Sequence, residues 1–235
     1  MVPASTKVST TLELDVQRGC CELVVATNNE CVIRGVVVFA EQLFESESLF
    51  SYDLNPQKAT RLPLLPPRDM AAEMLIKALV GSRTSSVYHV FEMDFSLPKF
   101  AAYGPAPHGM ARPESFVTFR MNERVNRVAM WLQSAFVNQE AGSQDVLGVR
   151  LVSLRTGKPL FIDATGDEGG TVTIRTDSME VAGEVLQDLC AHLGISELEA
   201  SAHFPEEMED FRHVLLQVRV PRGPSRTLNS HLQVF

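Results

Sequence analysis

Hydrophobic and polar residues alternate in short runs along the first part of the chain, and this alternation predicts β-strands. In residues 11–17, leucine and valine alternate with threonine, glutamate and aspartate, as in a strand with one solvated face. The predicted strands are 11–17, 22–27, 31–40, 62–65 and 88–93. Asn28 and Asn29 tolerate the backbone of tight turns, which predicts a hairpin between the second and third strands. Pro63 confines the fourth strand to an edge, and the whole pattern predicts an antiparallel β-sandwich.

Residues 70–80 fit both a helix and a strand. Their alanine, glutamate, methionine, leucine and lysine favour a helix by intrinsic propensity. Met74, Ile76 and Ala78, however, alternate with their neighbours as they would in a strand. Because strands are predicted on both sides, we predict a strand over 73–80, with the helix as the open alternative.

A polar stretch at 41–48 interrupts the strands and is predicted to loop over one end of the sandwich. Phe44, Leu49, Phe50 and Tyr52 are apolar residues in or just after this stretch. We interpret them as side chains that pack within a loop.

The pattern changes after residues 99–114, which hold several prolines and glycines and are predicted to mark a domain boundary. Beyond it, short strands alternate with amphipathic helices, one at 122–137 and another that begins at Pro205. Helices between the strands of one sheet predict a layered α/β domain. The predicted division is a β-sandwich at 1–103, a linker at 104–114, an α/β domain at 115–220 and a flexible tail at 221–235.

Residues 171–194 form the clearest local pattern in the chain, a strand that leads into a helix. Asp177 is predicted to cap the helix, with Glu180 three residues later as in a capping box. Gly194 is placed to end the helix. The predicted apolar stripe consists of Ala182, Val185, Leu186, Leu189 and Leu193.

Three residues are candidates for partner binding. The opposite face of that helix carries Glu184 and Asp188 and is expected to be solvated, so a partner that docks there should be basic. Trp131 lies beside the stripe of its own helix and is expected to be half-exposed. It either packs at the domain edge or anchors a partner, because tryptophan is enriched among residues that dominate interfaces.

Composition and motifs exclude several classes of function. The formal net charge of −8 opposes a nucleic-acid surface, which needs clustered lysine and arginine. No apolar run approaches the roughly 20 residues that cross a bilayer, and we expect an intracellular, soluble protein that is not an integral membrane protein. The four cysteines and six histidines lack metal-ligand spacing, and the glycine-rich run 166–170 reads as a hairpin turn. We therefore predict no catalytic residue, no cofactor and no metal.

Several short runs also match a known family, in one order from Cys31 to Val218. The matching runs include Phe39-Ala40-Glu41, Phe44, Glu47-Ser48, His89-Val90-Phe91-Glu92, Leu97-Pro98, Phe100, Arg127-Val128, Trp131-Leu132, Ser153-Leu154-Arg155, Gly157, Ile174, Thr176-Asp177, Ala182-Gly183, Gln187 and Phe204-Pro205. With these runs the chain resembles the Bardet–Biedl syndrome protein 2 family of BBSome subunits. Members of that family are several times longer, so we expect a piece of such a protein or a shortened homologue.

The resemblance implies both a fold and a function. The fold is an adaptin-ear-like, immunoglobulin-like β-sandwich followed by an α/β platform domain. The function is that of a non-enzymatic scaffold or adaptor in a coat-like complex that moves membrane-protein cargo in cilia. Bardet–Biedl syndrome proteins 7 and 9 would be the main contacts, and the cytoplasm, cilium and basal body the locations. The alternative is a stand-alone appendage-type module that binds short peptide motifs.

Overall fold

The computed structural model describes residues 2–138, 146–166 and 170–217. The first domain contains seven strands: β1 (Val8–Asp15), β2 (Cys20–Thr27), β3 (Val32–Ala40), β4 (Ser48–Gln57), β5 (Ala59–Leu64), β6 (Ala72–Gly81) and β7 (Tyr88–Leu97). The second domain follows with β8 (Tyr103–Pro105), β9 (Phe116–Arg120), α1 (Val125–Ala135), β10 (Val146–Ser153), β11 (Pro159–Thr165), β12 (Thr171–Arg175), α2 (Met179–Leu193), β13 (Ala200–His203) and α3 (Pro205–Gln217). The predicted order, a β-sandwich followed by a mixed α and β domain, is confirmed.

The first domain consists of two antiparallel sheets, one in the order β1-β2-β5 and the other in the order β4-β3-β6-β7. Alternate residues of both sheets point inward and form a single apolar core that includes Leu23, Val36 and Ile76, all fully buried. Each such side chain contributes on the order of 1.5–3 kcal/mol when it leaves water. Pro63 lies in the edge strand β5, as predicted, where its missing N–H costs no ladder hydrogen bond.

The segment forms a strand over Ala72–Gly81, which settles the ambiguity left by the sequence. In β6, Met74, Ile76, Ala78 and Val80 are buried, and the residues between them are less so. The strand pairs with β3 on one side and β7 on the other. These two ladders and the buried row outweigh the helix propensity of the segment.

The predicted hairpin at Asn28 and Asn29 is wrong. The strands on either side belong to different sheets, so the connection crosses from one sheet to the other. The side chains of the two asparagines stabilise this connection through hydrogen bonds to backbone N–H groups. The Asn28 Oδ1 atom accepts a hydrogen bond from the Lys7 N–H at 2.8 Å, and the Asn29 Oδ1 atom accepts one from the Cys31 N–H at 2.9 Å.

The predicted loop packing of Leu49, Phe50 and Tyr52 is also wrong, because these residues lie in β4. This strand is an edge strand that pairs only with β3 in the described structure. The side chain of Phe50 is 59% exposed, and that of Tyr52 is exposed as well. Because polar residues surround these apolar ones, the sequence pattern did not indicate a strand here.

The second domain is a six-stranded antiparallel sheet in the order β13-β9-β12-β11-β10-β8, with helices packed on it. Helices α1 and α2 contact each other and the sheet, and together they close one core. Gly104 and Pro105 lie in β8 and pair with β10, whereas the sequence placed them in a linker. The chain thus joins the second sheet at residue 103.

Helix α2 begins one residue later than the sequence suggested. Its N-cap is Ser178, whose hydroxyl oxygen accepts a hydrogen bond from the Val181 N–H at 3.4 Å, so Asp177 is not the cap. The Met179 N–H donates instead to the Glu207 carboxylate of α3 at 2.8 Å. Gly194 ends the helix at φ 74°, the left-handed conformation that was predicted for it.

Helix α3 lies on the surface of the second domain. Its predicted apolar side includes Met208, Phe211 and Leu215, and all three side chains are exposed. Val218, the predicted tail 221–235 and most of the predicted turn 166–170 lie outside the described residues. No helix in the described ranges is long and apolar enough to cross a membrane.

Candidate functional site

The three candidate residues meet at the junction between the two domains. The junction is formed by the start of the second domain after β7, by α1 and α2, and by the loop of the first domain that contains Asp69. Trp131 comes from α1, and Glu184 and Asp188 come from α2. The face of α2 that was expected to be solvated therefore lies against the first domain. That expectation is wrong for these two carboxylates, which are partly buried.

Trp131 is 1% exposed, and the expectation of a half-exposed ring is wrong. Its indole packs edge-on against Phe100, at 6.4 Å between ring centroids, and against Phe136, at 5.6 Å. These contacts place the ring inside the core of the second domain. Sequence periodicity indicates which face of a helix a residue lies on. It does not indicate that Phe100, from the domain boundary, covers that face.

Asp188 holds the polar end of this tryptophan. Its Oδ2 atom accepts a hydrogen bond from the Trp131 Nε1–H at 2.8 Å, and its Oδ1 atom lies 3.3 Å from the Lys99 ammonium. A buried indole N–H needs a partner, and a carboxylate bound also to a lysine is a strong one. Lys99 follows the last strand of the first domain, so this pair ties α2 to the point where the chain leaves that domain.

A second polar cluster joins the domains beside the first. The Asp69 carboxylate accepts hydrogen bonds from the Tyr103 hydroxyl at 3.0 Å and from the Arg155 guanidinium. Arg155 also donates to the Pro66 carbonyl at 3.3 Å. The Asp69 side chain is only 3% exposed, so its charge depends on these donors.

Burial and the negative charge of Asp69 change the acidity of two neighbouring groups. The pKa of the Tyr103 hydroxyl is raised well above its usual range, first by desolvation and then by Asp69. The pKa of Glu184 is raised by the same two causes in the same order, while Lys99 and Arg155 lower it. The surroundings of Glu184 thus disfavour its charged form.

The sequence pattern did not indicate Asp69, Arg155 and Tyr103 as contact residues. Asp69 lies in a loop without periodicity, and Tyr103 was placed at the end of the first domain. Arg155 was part of a run that matched the family, and its place beside a tight turn at Gly157 was the one available signal. None of these positions reveals its partner, because each partner lies more than 30 residues away.

The apolar cores also meet at the junction. Phe100 belongs to the core of the second domain, and its neighbour Ala101 belongs to the core of the first. Val137, which follows α1, packs into the core of the first domain. Two consecutive residues that enter different cores leave little freedom for one domain to turn against the other.

The described residues offer little for catalysis. They contain no group of three or more histidine, cysteine, aspartate or glutamate side chains placed to hold a metal ion. Cys20, Cys21 and Cys31 are buried, Cys190 is partly buried, and all four are free thiols. Burial raises the pKa of the Cys21 thiol to about 12, which keeps it from forming the reactive thiolate at neutral pH. The junction can hold two domains together, and it does not contain a visible reaction site.

Comparison with known proteins agrees with this division into two domains. The family model described as BBS2 GAE domain matches residues 15–100, and the one described as BBS2 platform domain matches 101–193. The two matches meet at Phe100 and Ala101, where the two cores meet. The first is the ear-like β-sandwich and the second the platform that the resemblance implied.

Full-length relatives match in the same way. The BBSome complex member BBS2 of Mus musculus is 33% identical over 227 residues, which cover 93% of this chain and 31% of the relative. The corresponding protein of Danio rerio is 36% identical over 225 residues, with the same coverage. BBSome complex member bbs-2 of Caenorhabditis elegans is 24% identical over 233 residues. The chain spans about a third of the length of these relatives. It belongs to the BBS2 family and contains the ear-like GAE domain and the platform domain of that family.

Proposed function

We propose that this chain acts as a non-enzymatic scaffold within the BBSome. The observation that supports the proposal is the pair of adjoining family matches, which continue through the junction without a gap. Since the related proteins are BBSome complex members, the chain would hold its ear and platform in one fixed arrangement for other subunits to contact. The role in ciliary membrane-protein trafficking and cilium assembly follows from membership of that complex.

The junction gives this scaffold a physical basis. Asp69 with Arg155, and Asp188 with Trp131 and Lys99, connect the two domains through buried or partly buried polar groups. Such contacts resist rotation more than an interface of exposed charges would. A rigid pair of domains presents two surfaces at a constant distance and angle, which is what a subunit of a multi-protein coat requires.

Partner contacts near the junction are part of the same proposal. Asp188 and Trp131 line an open depression of about 400 Å³ whose rim includes Glu73, Ser96 and His192. In this arrangement Trp131 and Lys99 hold Asp188 in place, and Glu184, one helical turn earlier on α2, would extend the contact surface. We propose that the partners are other BBSome subunits, with Bardet–Biedl syndrome proteins 7 and 9 first among them, and that cargo is bound indirectly.

Co-purification from ciliated cells tests the proposal. A tagged copy of the chain should recover other BBSome subunits, identified by mass spectrometry, and it should localise to the cytoplasm, the basal body and the cilium. A tagged copy with Asp69→Ala tests whether the fixed arrangement of the two domains matters for this recovery, because the variant keeps both domains and loosens the junction. Recovery of the chain without any other subunit would contradict the proposal.

A further inference from the structure

The outer face of the four-stranded sheet in the ear domain exposes apolar side chains. Phe39 in β3 and Leu75 in β6 lie directly opposite each other across the ladder, and they are 41% and 37% exposed. Phe50 and Tyr52 of the edge strand β4 continue the apolar surface on the same side. Residues on the other side of these strands fill the ear core, so this face is the one that the described residues leave uncovered.

At one end of this face lies a depression of about 670 Å³. Phe39 and Leu75 form its apolar floor. Four carboxylates surround the floor: Glu41, Glu47, Glu73 and Asp94. We call the floor and these carboxylates together the acidic groove. Asp94 is the direct cross-strand neighbour of Leu75.

Most of these carboxylates have no partner among the described residues. In the described ranges, the side chains of Glu41, Glu47 and Asp94 make no ion pair or hydrogen bond, while Glu73 accepts a hydrogen bond from the Ser96 hydroxyl at 2.7 Å. Elsewhere on the same sheet charges are paired, as Lys77 and Glu92 are at 2.8 Å. Acids that gather around an apolar floor repel one another, and a positive charge from outside would relieve that repulsion.

The nearest basic groups leave the groove negative. Arg68 donates a hydrogen bond to the Gln42 side chain at 2.6 Å and so stands at one side of the rim. Arg34 lies at the far end of the sheet, where it stacks on Tyr52 and Tyr88 and donates to the Tyr88 hydroxyl. Four acids against one arginine leave an excess of negative charge at the groove.

We propose that the acidic groove binds a protein segment in which an exposed apolar side chain is flanked by lysine or arginine. The apolar side chain would cover Phe39 and Leu75, and the flanking cations would meet the unpaired carboxylates. Nucleic acid and anionic membrane surfaces do not fit, because their phosphates would face the same carboxylates. This inference does not depend on assembly into the BBSome, so failed co-purification and failed peptide binding are separate outcomes.

Peptide display against the full chain tests the proposal. A library of random peptides should yield binders in which an apolar residue stands between basic ones. A selected peptide, synthesised with a fluorescent label, should bind the chain in an anisotropy titration. The double variant Glu73→Lys with Asp94→Lys should weaken that binding at least about ten-fold, because two attractions become repulsions. Leu75→Ser should weaken it as well, since the floor loses apolar contact.

A matched control separates the groove from general charge effects. Glu199 is an exposed acid of the platform without an ion pair in the described structure, and Glu199→Lys should leave peptide affinity unchanged. Circular dichroism and thermal unfolding would verify that every variant is folded. Selection of acidic peptides, failure to select any binder, or equal affinity of the double variant and the wild type would each overturn the proposal.

Discussion

The junction and the acidic groove both contain acidic side chains. Those at the junction have bonding partners, whereas most of those at the groove have none among the described residues. At the junction, Asp69 and Asp188 are bound by groups from the other domain or from another helix. At the groove, Glu41 and Asp94 face the solvent and the described structure provides no partner for them. Aromatic residues differ in the same way, since Trp131 is buried and Phe50 is exposed. Charged side chains therefore stabilise the fold at the junction, whereas at the groove they remain available to a partner.

The largest expected difference is between the two aromatic residues. Trp131→Ala should reduce the free energy of unfolding by about 3–5 kcal/mol, because it empties a packed core position and leaves Asp188 without its indole donor. Phe50→Ala should change it by less than about 0.5 kcal/mol, since its ring is mostly in water. Urea denaturation of both variants would measure these values. Equal losses would show that the outer face of the ear is as structural as the core.

The next effect concerns the buried carboxylate of the junction. Asp69→Ala leaves the Arg155 guanidinium and the Tyr103 hydroxyl without their acceptor, and should cost about 3 kcal/mol. The exposed acid Asp94 provides the matched control, because Asp94→Ala should change stability by less than about 0.5 kcal/mol. A loosened junction should also increase protease cleavage near residues 98–102. Unchanged stability of the Asp69 variant would mean that the ear and platform are not held by this cluster.

The smallest effect is the dependence of stability on pH through Glu184. Since burial and Asp69 raise its pKa in the folded chain, the folded state binds the proton more tightly than the unfolded state. Stability should therefore fall as pH rises from the ordinary glutamate pKa, about 4.3, through the raised value. Glu184→Gln removes this loss and should be slightly more stable than the wild type at pH 7, because solvent screens a partly exposed group.

Denaturation at two pH values checks this prediction. The difference between Glu184→Gln and the wild type should shrink as pH falls and disappear at about pH 3, where the glutamate is protonated in both states. A wild type that is more stable than the variant at pH 7 would show that Lys99 and Arg155 stabilise the Glu184 carboxylate more than burial and Asp69 destabilise it.

Features set by neighbouring residues could be predicted from the sequence. The buried row of β6 follows from alternation, and the end of α2 follows from one glycine that adopts a left-handed backbone. The order of two domains followed from the change in pattern near residue 100. In each case the physical cause lies within a few residues of the feature.

Features set by distant residues could not be predicted. Whether Asn28 and Asn29 close a hairpin or cross between sheets depends on where β5 pairs, and the local turn chemistry allows both. The burial of Trp131 depends on Phe100, and the burial of Asp188 depends on Lys99. Helix periodicity identified the face of α2 that carries Glu184, and it could not tell whether water or another domain covers that face.

Crosslinking mass spectrometry on the native complex from ciliated cells would show whether the ear and platform form one fixed scaffold in contact with other BBSome subunits. If the chain is a fixed two-domain scaffold, crosslinks should join Lys158, the one lysine of the platform match, to lysines of the ear, and further crosslinks should join the chain to other BBSome subunits. Such a result would show a fixed two-domain scaffold in contact with its partners. Crosslinks within the chain, without any to another BBSome subunit, would contradict the account.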